Sequence, residues 1–97
     1  MPEREEATVT EYKRNPTVET APMAGETVLY SPDTNKFCVL NETASVIWEA
    51  LEEPHTERQL CDRLVAEFDG VDLEVVERDV AATLSQFREL AIALPAL

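Results

Sequence analysis

The chain is poor in the residues from which most catalytic and cofactor sites are built. It has one histidine, two cysteines and two glycines among 97 residues. Gly25 and Gly70 stand alone, so no Gly-rich phosphate loop exists. His55 lies in a Pro-His-Thr stretch that reads as a turn, not as the setting of a general base. Cys38 and Cys61 form no Cys-x-x-Cys motif, and with a single histidine they cannot complete a familiar zinc ligand set. They read as small buried hydrophobes rather than as a disulfide. No metal, cofactor or enzyme activity is expected. Basic residues are scarce as well: eight Lys and Arg face twenty Asp and Glu, for a net charge of −12. Nucleic acids and anionic membranes are recognised by clustered Lys and Arg, so both are poor partners for such a chain. No apolar run approaches the ~18 residues that cross a bilayer. The N-terminus lacks the apolar segment of a secretory signal, and a cytoplasmic setting is expected.

What remains is the material of one soluble domain, with 44% hydrophobic and 29% charged residues. Residues 1–14 are polar and Glu-rich and read as a loose tail, leaving residues 15–97 as the domain. The charge is unevenly spread. Residues 42–97 hold thirteen acids against four arginines, or −9 of the total.

The middle of the chain carries strand patterns. Thr17 to Thr20, Glu26 to Tyr30 and Lys36 to Leu40 are short and β-prone. The last two flank Ser31-Pro32-Asp33-Thr34-Asn35, where Pro32 presets a turn and Asn35 tolerates positive φ. In Lys36 to Leu40 both alternating sides are apolar, so one side packs inward and the other is left for a cover or a partner.

Three helical patterns follow. Asn41 or Thr43 caps the first, whose Ala44, Ile47, Trp48 and Leu51 recur at helical spacing, and Pro54 stops it. Trp48 is a core residue in this reading. Thr56-Glu57-Arg58-Gln59 is a capping box opening the second, with Leu60, Leu64 and Phe68 on one face and Asp69-Gly70 at its end. The third runs from about Asp72 to Leu90, with Leu73, Val76, Val80, Leu84 and Phe87 as its stripe. The tail from Ala91 to Leu97 is a short strand or a docked extension. Strands followed by three amphipathic helices predict an α+β, winged-helix-like domain: a three-stranded antiparallel sheet followed by three helices. The third helix, which a DNA reader would place in the major groove, carries Asp72, Glu74, Glu77, Asp79 and Glu89 against Arg78 and Arg88, so this fold is expected without DNA binding.

The segment from Leu29 to Trp48, Leu-Tyr-Ser-Pro-Asp-Thr-Asn-Lys-Phe-Cys-Val-Leu-Asn-Glu-Thr-Ala-Ser-Val-Ile-Trp, resembles the signature of the PqqD family. Thr56 to Leu60 at the second helix, and Asp79-Val80 with Leu84 in the third, continue the likeness, which spans roughly residues 15–94. Two departures stand out: Cys38 where many members carry an aromatic, and Leu90-Ala91-Ile92 where a Gly-Leu is usual. The resemblance implies a RiPP recognition element, a non-catalytic peptide chaperone of natural product biosynthesis. Such a domain binds the leader segment of a ribosomally made precursor and presents it to a modifying enzyme such as a radical SAM enzyme, a cyclase or a leader peptidase. The leader adds as a strand to the third strand and lies against the third helix.

On these grounds the peptide-binding residues are expected to be Lys36, Phe37, Cys38, Val39 and Leu40 of the edge strand, with Val76, Val80 and Thr83 as the facing wall and Asp79 at its margin. Strand addition satisfies main-chain groups, and pockets for alternate side chains give specificity. Val76 and Val80 also lie on the core stripe, which makes them core candidates equally. The competing functions are a winged-helix transcription regulator and an acidic protein–protein adaptor.

Overall fold

The computed structural model describes residues 10–23 and 26–96. In chain order come β1 (Glu11–Arg14), β2 (Glu19–Met23), β3 (Glu26–Ser31), β4 (Lys36–Leu40), α1 (Glu42–Ala50), β5 (His55–Thr56), α2 (Glu57–Glu67), α3 (Leu73–Glu89) and β6 (Ala93–Ala96). Strands β2, β3 and β4 make one antiparallel sheet with β3 in the middle, and β5, β1 and β6 make a second around β1. The α+β class, the three-stranded meander and the three helices after it match the sequence reading. The second sheet does not appear in it.

That sheet changes the status of residues expected to belong to the tail. Glu11–Arg14 is a central strand, with Glu11 opposite both Thr56 and Ala96. Residues 1–9 of the expected tail lie outside the described residues. The strand shows no hydrophobic alternation, because its inward side chains are Tyr12 and Arg14 rather than aliphatics. Arg14 lies over the Trp48 ring at 4.3 Å, and its Nε donates to the Trp48 carbonyl at 2.9 Å. A guanidinium stacked on an indole covers apolar surface while keeping its hydrogen bonds, which hydropathy does not register. His55, expected in a turn, pairs with Tyr12 in the two-residue β5.

Local chemistry sets the remaining boundaries. β2 starts later than expected and runs through Pro22, which an edge strand tolerates because the missing N–H costs no ladder bond. In the β3–β4 turn Asn35 takes φ of 57°, and its Oδ1 accepts from the Tyr30 hydroxyl at 2.8 Å. Asn41 caps α1, accepting from the Ala44 amide at 2.8 Å. The capping box of α2 is complete: Thr56 Oγ1 accepts from the Gln59 amide at 3.1 Å, and Gln59 Oε1 accepts from the Thr56 amide at 2.9 Å. α3 starts at Asp72, which accepts from the Glu74 amide at 2.9 Å. It ends in a Schellman motif, with Ile92 donating to Phe87 at 2.7 Å and Ala91 to Arg88 at 3.2 Å. Ala91 holds the left-handed position there, at φ of 58°.

The core lies between the β2-β3-β4 sheet and the helices. Leu29, Ile47, Leu60, Val80 and Phe87 are wholly enclosed, and Cys38, Leu40, Trp48 and Leu84 pack with them. Each large aliphatic or aromatic enclosed in this way contributes about 1.5–3 kcal/mol relative to an exposed one. One polar residue sits inside this frame. Asn15 is buried between β1 and β2; its Nδ2 donates to Asp33 at 2.8 Å and to the Ala91 carbonyl at 2.7 Å. It thereby joins the β3–β4 turn to the end of α3. Among the described residues no helix is long and apolar enough to cross a membrane.

Candidate peptide-binding groove

An unpaired sheet edge is the first requirement for strand addition, and the two sheets expose four. β2 carries Pro22, and β6 carries Pro95. β5 has two residues and follows Pro54. β4 has five residues and no proline. Proline and shortness are the ordinary guards of exposed edges, and β4 alone among the four has neither. In antiparallel pairing, alternate residues of β4 turn both main-chain groups to β3 and the intervening residues turn both outward. The outward groups are free to bond an incoming strand.

The two faces of β4 differ sharply. Cys38 and Leu40 point into the core, while Phe37 is 67% and Val39 59% exposed on the outer face. Phe37 meets Tyr30 of β3 with ring centroids 4.8 Å apart. An added strand would set alternate side chains over this apolar outer face and over the helical side.

On the helical side the neighbouring wall is α3. Thr34 Oγ1, in the β3–β4 turn, donates to the Leu90 carbonyl at 3.3 Å. At the other end of β4, Glu42 and Thr43 share a groove with Val75, Val76 and Asp79 of α3. A five-residue strand spans ~17 Å, and the helix from Asp79 to Leu90 rises about 16 Å. The turn before β4 thus meets the C-terminal end of α3, and the residues after β4 meet its N-terminal half, so strand and helix run in opposite directions. Asp72, Val75, Asp79, Thr83 and Gln86, three or four residues apart, share the helix face on this side. The groove at the lower end encloses about 430 Å³, floored by Leu64 and Phe68 of the α2 end with Val71, Val75 and Val76.

The expected site residues divide accordingly. Lys36, Phe37 and Val39 are exposed on or beside the edge. Asp79 is exposed on the groove rim, and Val76, though 5% exposed, contributes to its floor. Thr83 is half-buried one helical turn beyond Asp79 and does not line the groove. Val80 is at 0% exposure and presents no surface; it is core, because its place at the centre of the α3 stripe turns it into the core cluster. The side chains of Cys38 and Leu40 are core for the same reason of alternation, so only their main chain reaches the edge. Glu42, Thr43, Leu64, Phe68, Asp69, Val71, Asp72 and Val75 line the groove but were not expected. A signal for two of them existed: Val71 and Val75 are apolar residues off the α3 stripe, exposed at 38% and 45%.

Burial raises the Cys38 thiol above its ordinary 9.0. Burial, followed by the charges of Glu57, Glu77 and Asp62, raises that of Cys61, with Arg58 opposing. Both stay protonated, and neither pairs in a disulfide. Among the described residues no three His, Cys, Asp or Glu side chains gather as a metal site.

An open edge strand beside an amphipathic helix, on a winged-helix-like α+β frame, defines a peptide-groove domain. The chain belongs to the PqqD family: the family model described as coenzyme PQQ synthesis protein D (PqqD) matches residues 26–92. Two solved structures share the fold. A lasso peptide synthetase B1 complexed with the leader peptide is 28% identical, with a TM-score of 0.70 covering 88% of this chain and 99% of that one. TbiB1 in complex with the TbiA(beta) leader peptide is 30% identical, with a TM-score of 0.70 covering 84% and 93%. No curated protein matches the chain.

Proposed function

We propose that this protein binds the leader segment of a ribosomally synthesised precursor peptide, as a strand added to β4, and delivers it to a modifying enzyme in the cytoplasm. The observation that carries this reading is the unguarded β4 edge, whose end opens on the groove walled by α3. The likeness to two proteins solved with leader peptides supports it. Main-chain bonds along β4 supply affinity with little demand on sequence, and the groove and the Phe37–Val39 face supply selectivity. The peptide-contacting set is Lys36 to Leu40 by main chain, Phe37 and Val39 by side chain, and Val76, Asp79 and Thr83 from α3. The protein acts by binding alone, and the bond chemistry belongs to the partner enzyme, such as a radical SAM enzyme, a cyclase or a leader peptidase.

The test is fluorescence anisotropy with the leader half of the precursor encoded nearest the gene, N-methylated on alternate residues in two registers. Strand addition uses the amides of one register only. One set should bind at least about tenfold more weakly than the unmodified peptide, and the other nearly as well. Equal binding by both sets, with the protein folded, refutes strand addition.

A further inference from the structure

We propose that the groove at the end of β4 selects a peptide bearing a Lys or Arg beside the apolar side chain that enters it. The inference rests on the leader-binding reading and names the chemistry of the segment that reading requires. The floor is apolar, with Phe68, Val71 and Val75 prominent, while Glu42, Asp69, Asp72 and Asp79 stand around it and no cation lines it. Elsewhere the acidic surface is interleaved with arginine. On α2, Arg58 approaches Asp62 and Arg63 approaches Glu67, each at 3.8 Å, and these are the ion pairs among the described residues. None reaches the groove. Asp72 has one oxygen on the Glu74 amide, and its second is uncommitted.

An apolar occupant displaces water from these carboxylates and raises the cost of their charge unless it brings a counter-charge. A Lys or Arg supplies one in the right shape. Its aliphatic stem lies along valine and phenylalanine, and its head reaches the rim. There it makes charge-assisted hydrogen bonds. An acidic segment would meet four like charges, and so would a second copy of this chain, which carries −12.

The probe is a phage-displayed library of random 15-residue peptides, selected on the wild-type protein and on two variants. The groove variant carries Glu42→Gln, Asp69→Asn and Asp79→Asn. The control carries Glu52→Gln, Glu53→Gln and Glu89→Gln, which removes the same charge from exposed positions outside the groove. Thermal melts establish that both fold. Wild type and control should enrich peptides with Lys or Arg next to a large apolar residue, and the groove variant should lose that bias. An individual winner should bind the groove variant about tenfold more weakly at low salt and the control within about twofold, with the gap closing at high salt. Enriched peptides that compete for the β4 edge but show no basic bias would overturn this inference and leave leader binding intact. Equal weakening by both variants would also overturn it, because the attraction would then belong to net charge. Failure to enrich any peptide sensitive to Val39→Pro or Cys38→Pro would overturn both.

Discussion

Replacing Asn15 by alanine tests whether one buried amide holds the two walls of the groove at their spacing. The side chain makes four hydrogen bonds. Nδ2 reaches Asp33 at 2.8 Å and the Ala91 carbonyl at 2.7 Å, and Oδ1 accepts from the Thr17 amide at 3.1 Å and its hydroxyl at 3.0 Å. Four bonds at ~0.5–1.5 kcal/mol each set an upper range of about 2–6 kcal/mol. Thr17 and Asp33 are exposed and recover water when the amide is gone, while Ala91 is half-buried and recovers less. The expected loss is therefore about 2–3 kcal/mol, or ~10–20 °C in Tm for a domain of this size. Urea and thermal unfolding followed by Trp48 fluorescence measure it. Asn15→Asp is nearly the same shape but keeps only acceptors and faces Asp33, so it should do no better than alanine. A loss below about 0.5 kcal/mol for Asn15→Ala, or an aspartate variant as stable as wild type, refutes the reasoning. Well below its Tm the alanine variant should still bind peptide more weakly, because the β3–β4 turn is no longer fixed to α3 by this residue.

Three further outcomes are expected. Ala91→Gly relieves a left-handed alanine at φ of 58°; after the entropy cost of glycine it should stabilise by roughly 0.5–1 kcal/mol, read as a raised urea midpoint at constant slope. Thr56→Ala opens the α2 capping box and should cost about 1 kcal/mol by the same measurement, with Thr56→Ser recovering most of it. Because both thiols are raised above 9.0, the folded state holds their protons more tightly than the unfolded state. Their contribution is fully present below pH 9.0 and falls away as pH rises through the folded values; the alkaline loss of stability should be shallower in a Cys38→Ala, Cys61→Ala protein, and an unchanged slope would count against burial of the thiols.

The helices were legible because their signals are local. A capping box, an Asn cap and a stripe at i, i+3 and i+7 need no knowledge of distant residues, and Thr56, Asn41 and Val76 to Phe87 all fall where those signals put them. The β3–β4 hairpin was legible through its turn chemistry at Pro32 and Asn35. β1 was not, because its role depends on Trp48 and on partners at residues 55–56 and 93–96, and no hydrophobic alternation announces it. The groove was half legible. Alternation along β4 separated two faces, both apolar, but could not say which was outward, and helical spacing alone could not separate Val76, on the floor, from Val80, beneath it. The α2 end and the α1 start joined the groove only once the chain had folded.

The prolines at β2 and β6 have a consequence for assembly. A sheet that can be extended from one side only does not propagate. Two copies meeting at β4 would close on each other about a two-fold axis, with Pro22 on both outer flanks removing a donor that a third would need. A bound peptide takes that single vacancy, and the new outer edge is then made of the peptide's own backbone. Any further growth of the sheet passes from the protein's control to the sequence of its guest.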